Sequence, residues 1–502
     1  MSDRSRPEGL PPTIGLIGGG VIGGGWAARF LLHGADVRLY DPAPDTERRV
    51  GEIVDGARRA WRNLTMMPLP QQGRLTLVET VEEAVDGVEF VQESAPEQEG
   101  LKRKLLGDAS RTARPDAIFA SSTSGLLPSR LQTDMAHPER LVVGHPFNPV
   151  YLLPLVEVCG GEKTSIAALE KTESVYRAAG MSPLRVRKEI PGFIADRLLE
   201  ALWREALGLV ADDVATASEI DDAIRLGPGL RWALMGTFLI YRIAGGEAGM
   251  RHFMEQFGPA LRWPWSRLTD VPELTNELLD KIAKQSDAQA DGSSIRELER
   301  FRDDNLVAVL QGLRTHGGAA GVALAEHERR LFDVAHPRVM GKDDDLSQPL
   351  RLHRARIPAD WVDYNGHMSE SRYHQVVSDG TDALVHYLGV DAAYLASGCS
   401  YFTVESHLSF LNQTQAEDLV AVSSQLLAAD PKRLHVFHRI ERPEDGAVLA
   451  ESETMLLHVD QASGRAVPAG ASVLERMERL AAAHAHLPRP ARAGRRIGDR
   501  QP

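Results

Sequence analysis

The sequence has few of the features that mark membrane, secreted or nucleic-acid-binding proteins. Its 502 residues include two cysteines, Cys159 and Cys399, which lie far apart. They cannot build a metal cluster, so no metal site is predicted, and they fit a reducing cytoplasm. No apolar run approaches the ~20 residues of a membrane span, and the N-terminus lacks the apolar core of a signal peptide. The formal net charge of −13 argues against nucleic acid or an anionic membrane as a main partner.

What is present is an ordinary globular composition, with 43% hydrophobic and 25% charged residues. The length predicts two to four domains, and the texture of the chain changes several times. We interpret this as a multidomain protein with a tail (1–12), an α/β domain of doubly wound parallel type (13–190), an all-α domain of six or seven helices (191–335), a polar linker (336–349), a small α+β domain (350–475), and a partly disordered tail (476–502) with disorder expected from Leu487.

A glycine-rich loop near the N-terminus follows an apolar strand pattern and precedes a helix pattern. Gly18, Gly20 and Gly23 fit G-x-G-x-x-G, in which the glycines allow a tight turn, close approach of a pyrophosphate, and packing of helix on strand. Asp41 ends the next strand, 23 residues after Gly18 (41 − 18), where an acid binds an adenosine ribose. The pattern predicts an NAD site, because an acid there repels a 2′-phosphate. Its predicted residues are Gly18, Gly19, Gly20, Val21, Ile22, Gly23 and Asp41.

Polar residues follow later strand patterns, at the sheet edge where doubly wound folds bind ligands. Ser124 follows one strand, His145 lies at the end of the next, and Glu157 comes twelve residues later. Oxidation of a secondary alcohol needs a base for the hydroxyl proton, and histidine titrates near neutral pH. A carboxylate behind the histidine would orient the ring and stabilise its charged form.

These stretches resemble the 3-hydroxyacyl-CoA dehydrogenase family from residue 13 to about 330. The resemblance implies that His145 is the general base, Glu157 its partner and Ser124 a hydrogen-bond donor to the substrate oxygen. It also implies that Glu97 and Lys102, from Pro96-Glu97-x4-Lys102, lie near the cofactor.

One position departs from that family. Asp196 stands where the family usually has asparagine after Pro-Gly-Phe-Ile. A carboxylate there would repel an enolate or an anionic acyl group, and could tolerate or prefer a cationic substrate. Alternatively, Asp196 pairs with Arg197 or caps the helix.

The stretch from Gly227 to Gly236 resembles the λ-crystallin/gulonate dehydrogenase branch, which handles free hydroxy acids. Arg231 could then clamp a carboxylate. Trp232, with Trp203, Phe238 and Tyr241, could offer aromatic faces to a quaternary ammonium group, although aromatics at helical spacing are more often core residues.

The last domain carries a D-x-N-G-H stretch before a predicted helix, Tyr373–Leu388. This stretch resembles the 4-hydroxybenzoyl-CoA thioesterase-like hotdog family over residues 350 to about 470, which implies an antiparallel sheet wrapped around a helix, and a dimer. Asp363 is then the candidate carboxylate, Asn365 or His367 would position water or thioester, and Glu405 is an alternative base. Alternatively, Asp363 and Asn365 only shape a turn.

The order of the domains is similar to that of bacterial L-carnitine 3-dehydrogenases fused to a thioesterase. The resemblance implies NAD-dependent oxidation of L-carnitine and hydrolysis of betainyl-CoA by a cytoplasmic homodimer. Three alternatives stay open: a 3-hydroxyacyl-CoA dehydrogenase with an acyl-CoA thioesterase, a λ-crystallin-like structural protein, and a last domain that only dimerises or senses CoA.

Overall fold

The chain folds as two compact units, residues 1–334 and 335–502. The computed structural model describes residues 6–65, 67, 69–244, 247, 249–257, 273–335, 338–357, 361–416, 418–496 and 498. Within these residues no helix combines the length and the apolar character needed to cross a membrane. The predicted multidomain fold class is confirmed.

An eight-stranded sheet forms the centre of the first unit. Its strands are β1 (Thr13–Ile17), β2 (Asp36–Tyr40), β3 (Leu75–Val78), β4 (Phe90–Glu93), β5 (Ile118–Ser121), β6 (Leu141–Pro146), β7 (Leu155–Gly160) and β8 (Ser182–Val186). They lie in the order β3-β2-β1-β4-β5-β6-β7-β8. All neighbours are parallel except β6 and β7, which are antiparallel. The predicted doubly wound sheet is confirmed, and its antiparallel pair is an addition to the prediction.

Helices cover this sheet, and the first of them sets the position of the glycine loop. They are α1 (Val21–Leu32), α2 (Thr46–Leu64), α3 (Val81–Val85), α4 (Glu99–Thr112), α5 (Pro128–Leu131) and α6 (Ile166–Ala178). Helix α1 is buried from Gly23 to Leu32. Trp26 stacks on Tyr176 at 5.0 Å, and a Cβ at Gly25 would lie 2.9 Å from that of Val150. Small residues thus let α1 pack closely, which fixes its N-terminus at the end of β1.

Among the described residues from 195 to 335, seven further helices follow, in agreement with the predicted all-α part of the fold. They are α7 (Ala195–Ala211), α8 (Ala217–Arg225), α9 (Pro228–Ala244), α10 (Gly249–Phe257), α11 (Asn276–Ala290), α12 (Ile295–Thr315) and α13 (Ala319–Ala335). Helices α12 and α13 return to the α/β part. Tyr151 donates a hydrogen bond to Asp303 of α12 (2.7 Å), and His33 of α1 contacts His327 of α13 (2.7 Å between Nε2 atoms).

The second unit is an antiparallel sheet with a long helix packed on one face. Its elements are β9 (Leu350–Arg356), α14 (Glu370–Tyr387), α15 (Ala392–Ala396), β10 (Cys399–Phe410), β11 (Leu419–Asp430), β12 (Arg433–Arg442), β13 (Ala447–Asp460), β14 (Arg465–Ala466) and α16 (Ala471–His484). The order is β10-β13-β12-β11-β9, with β14 paired to β13. A Cβ at Gly380 would lie 2.6 Å from Val422, so this glycine lets α14 approach the sheet.

Two predicted boundary segments, the first tail and the linker, need correction. Leu10 of the predicted first tail is buried in the core of the first unit. Met340 and Leu346 of the predicted linker are buried in the core of the second unit. Apolar side chains in these polar stretches are too few to give a periodic pattern, and only their tertiary contacts order them.

The predicted last tail also needs correction, because α16 continues to His484 and buries Met477 and Leu480. Beyond it, Gln425 donates to the Pro488 carbonyl (3.2 Å), and Arg492 pairs with Glu451 at 3.4 Å. Disorder was predicted from composition, but long-range contacts hold this part of the tail against the sheet.

Candidate functional sites

His145 and Glu157 face each other on the antiparallel strands β6 and β7. The two residues are paired in register, and His145 Nδ1 lies 3.0 Å from Glu157 Oε2. Glu157 is fully buried and His145 is 4% exposed. The ring of His145 also contacts Phe147 and Phe193, at 4.8 and 5.8 Å between centroids. A buried, aromatic-walled imidazole with an acid behind it has the geometry of a general base.

The second carboxylate oxygen of Glu157 is held by the start of α7. Its Oε1 accepts hydrogen bonds from the backbone N–H groups of Ile194 and Ala195, both at 2.9 Å. Burial opposes ionisation of Glu157, but the hydrogen bonds from His145, Ala195 and Ile194 outweigh it and lower the pKa of the carboxyl. Glu157 therefore remains a carboxylate, which suits a partner that orients His145 and stabilises its protonated form.

Asp196 lies on the other side of the imidazole. Its Oδ2 is 3.6 Å from His145 Nε2, and its side chain is 19% exposed. Arg197, the partner considered from sequence, instead donates to the Pro191 carbonyl at 3.3 Å. Helix α7 begins without a side-chain cap. Asp196 is therefore directed to His145, neither to Arg197 nor to the helix end.

Ser124 lies in a loop that Glu97 holds in place. Glu97 Oε1 accepts from the backbone N–H groups of Ser124 (3.0 Å) and Gly125 (3.3 Å), and from the Thr123 hydroxyl. The Ser124 side chain is exposed, so its hydroxyl remains accessible to a substrate.

Lys102 is 1% exposed, and its ammonium group is shared by three oxygens. Nζ donates to Glu93 Oε1 (2.8 Å) and to the Ala95 carbonyl (2.9 Å), and it lies 3.4 Å from Glu97 Oε2. Lys102 thus fixes the position of Glu97, whose side chain is 45% exposed.

The glycine loop connects β1 to the N-terminus of α1. Gly18 has φ +99°, a conformation that favours glycine, and a Cβ at Gly23 would overlap the Gly18 carbonyl oxygen. A Cβ at Gly20 would meet nothing within 4 Å. Gly20 therefore borders open space, whereas Gly18 and Gly23 are required by the fold itself.

Asp41 is tied to this loop from the end of β2. Its Oδ2 accepts from the Gly19 N–H (2.6 Å), and its Oδ1 accepts from the Ala43 N–H (2.8 Å) and the Thr46 hydroxyl (3.0 Å). Burial opposes ionisation, but these hydrogen bonds and Arg49 lower the pKa of Asp41.

These residues fit a dinucleotide. Gly20 would leave room for a pyrophosphate, and Val21 and Ile22 begin α1, where backbone N–H groups are free of helix partners. The ionised Asp41 is placed to accept hydrogen bonds from ribose hydroxyls.

Arg231 and Trp232 lie on α9, away from the contacts just described. Both are exposed, Trp232 by 41%. In the part of the chain that the structure describes, no hydrogen bond or ion pair joins either residue to His145, Glu157 or Asp196. The predicted carboxylate clamp and aromatic wall are thus not assembled around His145 by the described contacts of one chain.

In the second unit, the D-x-N-G-H stretch forms a tight turn before α14. Asp363 Oδ1 accepts from the Asn365 N–H (2.8 Å), the Asp363 N–H donates to the His367 carbonyl (2.9 Å), and Gly366 has φ +80°. The Asx turn considered from sequence is therefore present. It uses one carboxylate oxygen of Asp363, and the structure gives Oδ2 no hydrogen bond among the described residues. The side chains of Asn365 and His367 are exposed and half-buried.

Glu405 is not brought to this turn within one chain. It lies on β10 three residues before Leu408, which packs into the core beneath α14. Side chains three apart on a strand point to opposite faces, so Glu405 faces away from α14. Glu405 as an alternative base therefore stays a prediction, and one chain alone does not bring it to Asp363.

Several contributors to the first site were missed by sequence reasoning. Glu93 holds both Lys102 and the Ser121 hydroxyl (2.5 Å), and Thr123 binds Glu97. Glu93 ends a buried strand, the same signal that singled out Asp41, so it could have been found. The Ile194 and Ala195 N–H groups carried no signal, because backbone groups are common to all residues.

Models of known families match both units of the chain. Residues 13–190 match the NAD-binding domain of 3-hydroxyacyl-CoA dehydrogenase, and residues 192–283 match the C-terminal domain of that family. Residues 357–477 match the thioesterase-like superfamily. The chain is thus of the class in which an NAD-dependent dehydrogenase is joined to a thioesterase-like domain.

Curated relatives share this complete arrangement. The L-carnitine dehydrogenase/betainyl-CoA thioesterase of Rhizobium meliloti strain 1021 is 50% identical over 97% of this chain and 98% of its own. The chain therefore belongs to the family of L-carnitine dehydrogenase/betainyl-CoA thioesterases. The L-carnitine dehydrogenase of Pseudomonas aeruginosa is 56% identical over 62% of this chain and 98% of its own.

A solved structure extends the likeness of the first unit. It is that of 5-formyl-3-hydroxy-2-methylpyridine 4-carboxylic acid 5-dehydrogenase, described as an NAD+-dependent dismutase. It is 28% identical, covers 61% of this chain and 99% of its own, and has a TM-score of 0.51.

Proposed function

We propose that the first unit oxidises the 3-hydroxyl of L-carnitine to 3-dehydrocarnitine with NAD. The observation that carries this proposal is the buried His145–Glu157 pair. It lies in a chain that matches an L-carnitine dehydrogenase/betainyl-CoA thioesterase over 97% of its length. NAD, when bound, supplies the acceptor for the hydride. The chain's own residues must then bind the hydroxy acid, take its hydroxyl proton and hold the product carbonyl.

His145 takes the hydroxyl proton on Nε2 in this proposal. Glu157 is bonded to Nδ1 and keeps that nitrogen protonated, so that the lone pair lies on Nε2. As Nε2 gains the proton, the ionised Glu157 stabilises the imidazolium. The exposed Ser124 hydroxyl donates to the substrate oxygen, and Glu97 holds its loop.

The glycine loop would hold NAD in this proposal. The residues Gly19, Gly20, Val21 and Ile22 would bind its pyrophosphate, and Asp41 would accept hydrogen bonds from the adenosine ribose. Glu97, which Lys102 positions, would lie near the nicotinamide.

The second unit hydrolyses betainyl-CoA to glycine betaine and CoA in this proposal. Asp363 would attack the thioester or activate water with its free Oδ2, while N–H groups at the start of α14 polarise the carbonyl. Asn365 and His367 lie in the same turn and would position water or thioester.

A homodimer in the cytoplasm is the proposed assembly. Strand β10 is the outermost strand of its sheet, and it exposes Phe402 and Val404. Helices α7 and α9 expose Leu198 and Phe238, the latter by 81%. A long apolar sheet edge and an apolar helix surface are both suited to pairing with a second copy. The free cysteines Cys159 and Cys399 fit a reducing compartment.

One substrate panel tests both activities on the intact chain. NADH absorbance is followed with L-carnitine and with 3-hydroxybutyryl-CoA, and free-thiol release is followed with betainyl-CoA and with acetyl-CoA. We expect carnitine and betainyl-CoA to be preferred. Preference for the acyl-CoA substrates would favour a fatty-acid enzyme, and absence of all turnover would favour a λ-crystallin-like structural protein. Light scattering on the same sample gives the oligomeric state.

A further inference from the structure

The two carboxylates beside His145 differ in how they are used. Both carboxylate oxygens of Glu157 accept hydrogen bonds, one from His145 Nδ1 and the other from two backbone N–H groups. Asp196 lies 3.6 Å from His145 Nε2. No lysine or arginine pairs with it in the part of the chain that the structure describes. Asp196 thus faces the reacting side of the ring as an acid without a permanent cationic partner.

The surroundings of Asp196 are electronegative. Burial raises the pKa of its carboxyl; His145 acts against this, and the carboxylates of Glu157, Glu200 and Glu97 raise it further. Like charges and partial burial make an ionised Asp196 costly, and a cation bound beside it would relieve that cost.

Simple geometry places such a cation. A hydroxyl bound to His145 Nε2 lies about 2.8 Å from that nitrogen. If the carbon next to the carbinol bears an ammonium group, bonds of about 1.5 Å place its nitrogen about 3–4 Å from the hydroxyl oxygen. Asp196 Oδ2 lies 3.6 Å from Nε2 on the same side of the ring. These distances allow the ammonium group of a substrate whose hydroxyl is bound to Nε2 to lie in contact with this carboxylate.

We infer that Asp196 determines specificity, by ionic contact with a quaternary ammonium group on the carbon next to the reacting carbinol. The inference rests on the proposed oxidation of L-carnitine and deepens it. A quaternary ammonium cannot donate a conventional N–H hydrogen bond, so charge rather than directional bonding selects it. The same carboxylate repels a hydroxy acid that carries an anionic group at that position, whereas the neutral amide of an asparagine would not.

The test compares L-carnitine with its carbon isostere, in which a tert-butyl group replaces trimethylammonium. The two have the same shape and differ in charge. For the native chain we expect kcat/KM to favour carnitine by about 100-fold, as a charge pair at a partly buried site allows. In Asp196→Asn this ratio should fall to within about 3-fold, mainly because the carnitine value falls.

Glu200→Gln is the matched control, because Glu200 lies one turn further along α7. Its side chain is 54% exposed and lies 3.6 Å from Arg204. Solvent screens it, so the ratio should change by less than about 3-fold. Equal losses on both substrates in Asp196→Asn would assign this residue to the support of His145 and overturn the inference.

Two further outcomes separate this inference from the proposed function. A native chain that oxidises both compounds equally would overturn the inference alone, whereas one that oxidises neither would overturn the function. If Asp196→Asn does not fold, inhibition of the native chain decides. Choline should inhibit at least about tenfold more strongly than its neutral isostere 3,3-dimethylbutanol, and equal inhibition would contradict a charge contact.

Discussion

The two candidate active sites differ in how completely one chain assembles them. In the first unit, strands β6 and β7 and the start of α7 converge on His145, and Glu157 accepts three hydrogen bonds. In the second unit, Asp363 lies in a half-exposed turn and accepts one bond, from its own turn. A buried carboxylate needs hydrogen-bond or charged partners to stay ionised, whereas hydration stabilises the charge of an exposed carboxylate. The first site is thus organised before substrate arrives, and the second requires further groups.

The largest expected effect is loss of the imidazole. His145→Ala should lower NADH formation from L-carnitine by about 10³–10⁴-fold, because the variant lacks the imidazole that accepts the hydroxyl proton. Thiol release from betainyl-CoA should be unchanged in the same sample, which shows that the second unit is folded, and unchanged NAD affinity shows that the first unit is folded. Stopped-flow absorbance gives the first rate and a thiol reagent the second. A loss below tenfold would remove His145 from the chemistry.

Asp363→Asn separates chemistry from turn formation. The asparagine carbonyl can still accept from the Asn365 N–H, so the turn is kept, but the carboxylate is lost. If the acid is the nucleophile or base, betainyl-CoA hydrolysis should fall by about 10²–10³-fold while carnitine oxidation persists.

Asp363→Ala is the companion variant, because it removes both the acid and the turn acceptor. If both variants lose hydrolysis and remain the same oligomer as the native chain, the carboxylate itself is required. Full activity of Asp363→Asn with a defect only in Asp363→Ala would reduce the residue to a turn former, and a search for another base would follow.

Local patterns explain what the sequence predicted well. The glycine loop, Asp41 and His145 each lie at the end of a short apolar strand, so strand prediction alone placed them at one edge of the sheet. The turn around Asp363 likewise follows from its local motif. What sequence could not predict depends on partners far along the chain: the face of Glu405, the packing of Met340 and Leu346, and the contact of the last tail with β13.

The glycine loop provides a prediction of intermediate size. Gly20→Ala adds a methyl group in open space, at φ −71°, which alanine accepts. We expect unchanged thermal stability but about 10- to 100-fold weaker NAD binding, a loss of about 1.4–2.7 kcal/mol, because the methyl group occupies the pyrophosphate position. Gly23→Ala should instead destabilise the fold, since its methyl group would overlap the Gly18 carbonyl. NAD affinity is measured by fluorescence titration. An unaltered affinity in Gly20→Ala would show that the pyrophosphate does not bind at Gly20.

The smallest expected effect concerns the stability of the first unit, through the buried contact between His33 of α1 and His327 of α13. His33 Nδ1 is bonded to the Arg29 carbonyl (2.6 Å) and must therefore be protonated, so His33 Nε2 accepts from His327. Burial lowers the pKa of His33 to about 3 and that of His327 well below its usual value. Both are neutral when folded and gain protons when unfolded. Their contribution to stability is thus complete above pH 6.5 and is lost as the pH falls below it, by about 1.4 kcal/mol per pH unit for each histidine.

The two activities report this loss separately. Between pH 7.5 and 5.5, the urea midpoint for loss of carnitine oxidation should fall in the native chain. His327→Leu should lower that midpoint at pH 7.5, because His33 Nε2 loses its donor, yet it should reduce the dependence on pH by about one proton. The midpoint for betainyl-CoA hydrolysis should be the same in both chains, since His327 lies in the first unit. An undiminished pH dependence in His327→Leu would mean that the acid sensitivity of the first unit arises at other groups. The packing of α13 on α1 would then not depend on a neutral histidine pair.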